Sequence, residues 1–324
     1  MRWMAMCAAI PAAMTMAQEQ QPEQMQDAQA HVNVQESPER KEMPGLAEVE
    51  TRGEGDQHVV LIPGLASDWT IWEPFMERNK DRFTMHAVTL PGFGGTAAPA
   101  TPNDNSGTPW LDNAVKGVAD LIKNSDGVQE AMVIGHSLGG LVAYRLADEH
   151  PDLVSGVVAV DAFPAFPLGG QQIPEAQRVQ MVEAAAPQVL GMGEQAWQQQ
   201  IEQGSASQFG DPETFEKYKP MLLETKPDVG ARYMLELMKS DLSDDLQEVN
   251  MPVLTVAAIN EQQAQTPGGL EGYKQIWQQQ TQNAESVEVD WAEDSMHFVM
   301  FDKPDWFDKR VAAFAESVEQ GGES

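Results

Sequence analysis

From about Leu46 onward, short apolar runs alternate with stretches in which apolar residues recur every three or four positions. The short runs are typical of strands buried on both faces, and the periodic stretches are typical of amphipathic helices. Their alternation predicts a mostly parallel sheet with helices on both faces. The strand candidates are Ala47–Thr51, His58–Ile62, Phe83–Leu90, Gln129–Ile134, Ser155–Val160, Val253–Ala258 and Ser286–Trp291. Helices are predicted at Trp110–Lys123 and, closing the chain, at Asp305–Val318.

The alternation stops between Phe163 and about Asn250, where only helical patterns occur. An all-helical insertion between two strands predicts a cap lying over the strand ends. The apolar faces of this segment are rich in Met, whose flexible side chain fills cores and also suits irregular apolar ligands. The helix candidates of the cap are Glu175–Val189, Gly193–Glu202, Pro212–Leu223 and Gly230–Lys239.

The first 45 residues differ in composition from the rest. Residues 1–17 combine Arg2 with an Ala/Met-rich apolar run and a small-residue site at Thr15-Met16-Ala17, which predicts a signal peptide and therefore export to the periplasm or medium. The alternative is an N-terminal membrane anchor, although the run is short for a span. Residues 18–45 are rich in Gln and Glu and poor in large apolar side chains, which predicts a disordered tether.

Fifty acidic against twenty basic residues give a formal net charge of −30. This balance argues against binding to nucleic acid or to anionic membranes, because both need basic surfaces. The simpler interpretation is a well-solvated surface, and the alternative is adaptation to salt. The single cysteine, Cys7, lies within the predicted signal peptide, so the mature chain would have no disulfide. The oligomeric state is left open.

The residues Val133-Ile134-Gly135-His136-Ser137-Leu138-Gly139-Gly140 join a predicted strand to a predicted helix. A G-x-S-x-G sequence in that setting is typical of a nucleophile elbow, a turn so tight that its flanking positions require glycine. The turn exposes the Ser137 hydroxyl near the positive end of the helix dipole. The alternative is a tight turn without chemistry.

Three further segments accompany the elbow: Leu61–Ser67, Leu90–Thr96 and Met296–Asp302. Together the four segments resemble the α/β-hydrolase family over nearly the whole chain after residue 45. The resemblance implies an α/β-hydrolase fold, formed by residues 46–324, with the cap at about 163–250. In the family's count of strands, the cap is inserted after the sixth strand.

The resemblance also implies roles for individual residues. The backbone N–H groups of Leu65 and Leu138 are expected to hold the oxyanion, with Pro63 in place of the family's usual His before the Gly turn. His297 lies on the loop where the family carries its general base, and is expected to exchange a proton with Ser137. The Gly-rich turn at Leu90–Thr96 is expected to be structural, because it lacks the Lys of a phosphate-binding loop.

The sequence leaves open which carboxylate would complete a catalytic triad with Ser137 and His297. The family's usual position, after the strand Val253–Ala258, has no Asp but offers Glu261. The end of the preceding strand offers Asp161, within a Val-Asp-x-x-Pro segment that similar hydrolases lacking the later Asp also carry. We therefore predict Asp161, with Glu261 as the alternative acid. Asp290, Asp294 or no acid at all remain open.

These residues predict an exported serine hydrolase that cleaves a small apolar carboxylic ester through an acyl-enzyme. Other Ser-triad activities remain open, namely those of lactonases, amidases, C–C bond hydrolases, acyltransferases and perhydrolases. A non-catalytic protein that binds a small ligand on the same fold is the alternative from another class. The sequence carries no recognisable metal-ligand or dinucleotide motif, so no metal and no cofactor are predicted.

Overall fold

The computed structural model describes residues 45–125, 128–168, 173–265 and 268–322. The predicted signal peptide, residues 1–17, lies outside the described residues, as does the predicted tether apart from its last residue. Both stay predictions. None of the helices within the described ranges combines the length and apolar composition needed to cross a bilayer.

The strands within the described residues form one sheet in the order β1-β3-β2-β4-β5-β6-β7. β1 pairs with β3 in the antiparallel sense, and all the other neighbours are parallel. This confirms the predicted mostly parallel sheet. The strands are β1 (Glu48–Arg52), β2 (Gln57–Ile62), β3 (Phe83–Thr89), β4 (Ala131–His136), β5 (Val154–Val160), β6 (Val253–Ile259) and β7 (Val287–Glu293).

The helices are α1 (Glu73–Asn79), α2 (Pro109–Asn124), α3 (Leu138–Glu149), α4 (Glu175–Leu190), α5 (Glu194–Gly204), α6 (Pro212–Leu223), α7 (Pro227–Lys239), α8 (Gly269–Thr281), α9 (Val299–Asp302) and α10 (Pro304–Gly322). Sequence analysis did not identify α1, α8 or the single-turn helix α9. Helix α8 buries Tyr273, Ile276 and Trp277 from a Gln-rich segment, which is too few apolar positions to form a recognisable stripe.

Both faces of the sheet are covered, because successive residues of a strand point to opposite sides. Val60 and Ile62 pack with α2 and α3 in one apolar cluster. Val59 and Leu61 pack with α1 and α10 in the other. The near-continuous apolar character of the strands follows from this double burial.

The cap, residues 163–250, carries α4 to α7 and connects β5 to β6. The strand counted as the sixth in the family is β5 here. Helix α7 fastens the cap to the body, since the Tyr233 hydroxyl donates to Pro91 O at 3.1 Å and the Glu236 carboxylate accepts from the backbone N–H groups of Trp110 and Leu111. Burial raises the pKa of Glu236 to about 7. The position of the cap over the strand ends is therefore held by buried contacts at the start of α2.

A histidine pair on the adjacent inner strands β2 and β3 is expected to make stability depend on pH. Burial, and secondarily His58, lower the pKa of His86 to about 4. Its Nε2 lies 3.1 Å from His58 Nδ1 and its Nδ1 3.0 Å from Thr51 Oγ1. Between pH 6.5 and 4 the unfolded chain therefore binds a proton at His86 that the folded chain does not.

We expect His86→Gln to reduce the loss of stability on acidification, because Gln keeps polar atoms at this site without titrating. The free energy of unfolding in urea, measured at pH 7.5 and pH 5, should fall by about 2 kcal/mol more in the wild type than in the variant. Equal falls in the two proteins would show that His86 does not take part in this pH dependence.

Candidate active site

Ser137 lies between the end of β4 and the start of α3, in a backbone conformation that non-glycine residues rarely adopt. Its φ is +53° and its ψ −116°. The turn is held from both sides, since Ser137 N donates to Val160 O at 2.9 Å and Gly140 N donates back to Ser137 O at 2.9 Å. Hydrogen bonds to β5 and to the first turn of α3 therefore hold Ser137 in its strained backbone conformation.

The glycines of the elbow are required by close approach of backbone atoms. A Cβ at Gly135 would lie 2.1 Å from Gly139 O, and a Cβ at Gly139 would lie 2.4 Å from Ile62 O. These contacts are with main-chain atoms, which cannot rotate away as side chains can. The G-x-S-x-G pattern is therefore a consequence of how closely β4, α3 and β2 pack.

We expect Gly135→Ala to reduce the free energy of unfolding by about 3 kcal/mol or more, because the added methyl group overlaps the backbone of α3. Urea denaturation followed by circular dichroism measures the change. Gly193→Ala is the matched control, since a Cβ there meets no atom within 4 Å. A loss of similar size in the control would contradict this explanation.

The structure brings Asp161 and His297 together at the C-terminal ends of β5 and β7. His297 Nδ1 lies 2.6 Å from Asp161 Oδ2, and both side chains are mostly buried. The other carboxylate oxygen, Oδ1, accepts from Ala258 N at 3.0 Å, and Asp161 N donates to Val256 O at 2.7 Å. Asp161 is thus fixed by β6 with one oxygen on His297, in a backbone conformation with φ of +46°.

The other acids considered from the sequence lie elsewhere. Glu261 is exposed and is absent from the described lining of the cavity that holds His297. Asp290 pairs with Arg310 at 2.7 Å, and Asp294 is exposed on the turn after β7. Of these carboxylates, the structure places Asp161 on the imidazole.

The loop carrying His297 is held to the cap and to the elbow. Asp302 accepts from Met296 N at 2.7 Å and from Gly210 N, in the cap, at 2.9 Å. His136, directly before Ser137, donates from Nε2 to His297 O at 3.1 Å. Burial, and secondarily His297, hold the pKa of His136 well below its usual range, so His136 is a neutral donor. These bonds determine where His297 lies relative to Ser137.

The two predicted oxyanion donors lie in segments next to Ser137, since a Cβ at Gly64 would lie 3.2 Å from Ser137 Cβ. Leu138 is the first residue of α3, and Leu65 lies in the turn after β2, where Gly64 O accepts from Ser67 N. Within the described part of the chain, neither the Leu65 nor the Leu138 amide donates to a protein acceptor. Leu65 also lines the smaller cavity together with Ser137.

Two cavities meet at Ser137. The larger, of about 950 Å³ including its open mouth, lies between the cap and the ends of β5 and β6. The smaller, of about 450 Å³ including its open mouth, has apolar walls that include Trp197, Leu222 and Phe298. Ser137, His297 and Gln208 line both cavities. A molecule bound across Ser137 therefore has space for one group on each side.

Comparison with known proteins and the geometry of the site both indicate a hydrolase. A family model described as the alpha/beta hydrolase family matches residues 59–310. This chain belongs to the α/β hydrolase family. The match confirms the predicted fold and the prediction of a hydrolase enzyme.

This hydrolase has curated relatives among bacterial esterases. It is 31% identical over 216 residues, 63% of this chain and 76% of the relative, to the pimeloyl-[acyl-carrier protein] methyl ester esterase of Salmonella newport (strain SL254). It is 34% identical to the enzyme of the same name from Proteus mirabilis, but over 117 residues, which are 36% of this chain and 41% of that relative.

Solved structures share the fold of this hydrolase at low sequence identity. An esterase from Exiguobacterium antarcticum superposes with a TM-score of 0.65 at 17% identity, covering 83% of this chain and 94% of the esterase. An enol-lactonase from Burkholderia xenovorans LB400 superposes with a TM-score of 0.63 at 19% identity, covering 83% and 96% of the two chains. At these identities the likeness concerns the fold.

Sequence reasoning missed the roles of three residues of this hydrolase's site. His136 was seen only as part of the elbow, and Asp302 only as part of the His297 loop. Gln208, at the junction of the cavities, lies in a Gln-rich region that provided no signal. The bonds that give these residues their importance join positions far apart in the chain, so no local pattern could indicate them.

Proposed function

We propose that this protein hydrolyses carboxylic esters, with Ser137 as nucleophile, His297 as general base and Asp161 as the acid that orients His297. The observation that carries the proposal is the 2.6 Å contact between Asp161 Oδ2 and His297 Nδ1, at a cavity that Ser137 also lines. The named esterase relatives support the reaction class.

In the first step the Ser137 hydroxyl attacks the ester carbonyl while His297 Nε2 takes its proton. Asp161 makes this possible by accepting a hydrogen bond from Nδ1–H, which keeps the proton on Nδ1 and leaves Nε2 unprotonated. The resulting imidazolium is stabilised by the adjacent carboxylate. His297 then protonates the leaving alcohol as the tetrahedral intermediate collapses to an acyl-enzyme.

The negative charge that develops on the carbonyl oxygen is held by the Leu65 and Leu138 N–H groups. Fixed donors of this kind lower the barrier by about 3–4 kcal/mol each, because they need no reorganisation during the reaction. Leu138 adds the positive end of the α3 dipole. Water, deprotonated by His297, then attacks the acyl-enzyme and releases the acid and free Ser137.

The unequal cavities support an ester with one small and one larger group. The apolar walls of the smaller cavity suit a short alkyl group, and the larger cavity accepts the bulkier part of the substrate. The methyl esters named for the relatives have this asymmetry. A mainly apolar small ester is thus the substrate class that we propose.

A fluorophosphonate probe tests the proposal, because it reacts covalently only with an activated serine. We expect one adduct per chain, located on Ser137 by peptide mass spectrometry. Turnover of p-nitrophenyl esters of graded acyl length should accompany labelling. A folded protein that neither labels nor hydrolyses any ester of the series would instead support a non-catalytic binding protein.

Export is a separate part of the proposal and is supported by the composition of residues 1–17 alone. If it is correct, expression in a bacterial host yields a periplasmic or secreted protein whose mass corresponds to cleavage after Ala17. An uncleaved chain retained with the membrane fraction would favour the N-terminal anchor instead.

A further inference from the structure

We propose that Gln208, supplied by the cap, binds an uncharged polar group of the substrate next to the scissile ester. This inference rests on the proposed function and adds a recognition element to it. Gln208 ends the short 3-10 turn Ser205–Gln208, which connects α5 to α6. Together with Ser137 and His297 it lines both cavities, so the residue lies where they meet.

The main chain of Gln208 is fixed to the loop that carries the proposed base. Phe298, the residue after His297, donates its N–H to Gln208 O at 3.4 Å. Phe209 stacks on Phe298 with ring centroids 4.1 Å apart, and Gly210 N donates to Asp302. These contacts span three consecutive cap residues. The place of Gln208 relative to His297 is therefore set by the same interactions that hold the His297 loop.

Gln208 is largely buried, with 9% of the residue exposed. Within the described residues, this amide has no hydrogen-bond partner in the protein. Polar groups in largely buried positions are nearly always paired, so an amide without a protein partner in such a place is free to bond a molecule in the cavity. An amide that lines the space above a nucleophile and has no protein partner is suited to a group of the bound substrate.

The residues that line the two cavities indicate which substrate group the Gln208 amide would bind. Neither cavity has Lys or Arg among its described lining residues, and the Asp161 carboxylate is already bound to His297. A carboxylate on the substrate would meet no positive partner there and would lie near Asp161. An amide both donates and accepts, which suits a hydroxyl or carbonyl oxygen. Because Gln208 lines the junction together with Ser137, that oxygen is expected to lie close to the scissile carbonyl.

The test compares esters matched in length: ethyl butanoate, ethyl 3-hydroxybutanoate and monoethyl succinate. We expect the wild type to favour the hydroxy ester over ethyl butanoate by about tenfold in kcat/KM, and to turn over the succinate ester most slowly. Gln208→Leu should lower kcat/KM for the hydroxy ester by about tenfold or more and for ethyl butanoate by less than about threefold. The ratio for the two esters is the measured quantity.

Gln198→Leu is the matched control, an identical change at an exposed position of α5 whose side chain bonds to Glu194. We expect the wild-type ratio in this variant. If Gln208→Leu lowers both rates equally, the residue is structural, and if it lowers neither, the assigned contact does not exist. Preference of the wild type for monoethyl succinate would also overturn the proposal.

Labelling with the fluorophosphonate probe separates this proposal from the one on which it rests. A Gln208→Leu protein that labels at Ser137 like the wild type has an intact nucleophile, so a changed ester ratio then reports on recognition. A wild type that fails to label refutes ester hydrolysis itself. A wild type that labels but shows no preference for the hydroxy ester refutes only the role of Gln208.

Discussion

Replacing Ser137 by alanine is expected to lower kcat for ester hydrolysis by about 10⁶-fold, the loss typical when the nucleophile of a serine triad is removed. The hydroxyl is the atom that forms the acyl-enzyme, and no other group can take its place. His297 and Asp161 keep their contact, because the Ser137 side chain takes no part in it. Steady-state kinetics on the most rapidly hydrolysed ester of the series measure the effect.

The fold should tolerate the change, since the backbone bonds from Ser137 N to Val160 O and from Gly140 N to Ser137 O do not involve the hydroxyl. Ser125→Ala is the control, because its Oγ caps Leu121 O at the end of α2, away from both cavities. We expect its kcat to stay within about threefold of the wild type. A Ser137→Ala protein that retained a tenth of the wild-type kcat would contradict the nucleophilic role.

Replacing Asp161 by asparagine is expected to have the second largest effect, lowering kcat by about 10⁴-fold. An Asn side chain can still accept from Ala258 N, so the backbone keeps its place, but it presents an NH₂ group to His297 Nδ1. The imidazole must then carry its proton on Nε2, where it cannot accept one from Ser137. Because the defect lies in proton transfer, kcat should fall with little change in KM.

Glu261→Gln is the matched change at the alternative acid. Since Glu261 is exposed and outside the described lining of the cavity, we expect kcat within about threefold of the wild type. The reverse result, with activity retained in Asp161→Asn and lost in Glu261→Gln, would assign the acid to the position after β6. Loss in neither variant would mean that His297 needs no carboxylate.

The glycine spacing of the elbow shows why part of the site could be predicted from sequence. Gly135 and Gly139 are required because an added Cβ would lie only 2.1 Å and 2.4 Å from backbone oxygens of neighbouring segments. The spacing of these glycines about Ser137 therefore reflects the local backbone geometry. The strands were predictable for a similar reason. Burial on both faces leaves continuous apolar runs that stand out from the amphipathic helices.

Asp161 marks the limit of that reasoning. The sequence contained Asp161 and Glu261 at the ends of adjacent strands, and both positions are within reach of a loop after β7. The choice depends on which strand end faces His297. It is made by the bond from Ala258 N to Asp161 Oδ1, which joins residues 97 positions apart.

The sequence by itself predicted the strands, most of the helices and the elbow around Ser137. These features can be predicted from the local periodicity of apolar residues and from the spacing of glycines within a few residues. The tertiary structure alone decided the partner of His297, the bonds from His136 and Asp302 that hold its loop, and the position of Gln208 over the junction of two cavities. Those contacts join the ends of separate strands and the cap, and which of them meet depends on the packing of the whole sheet.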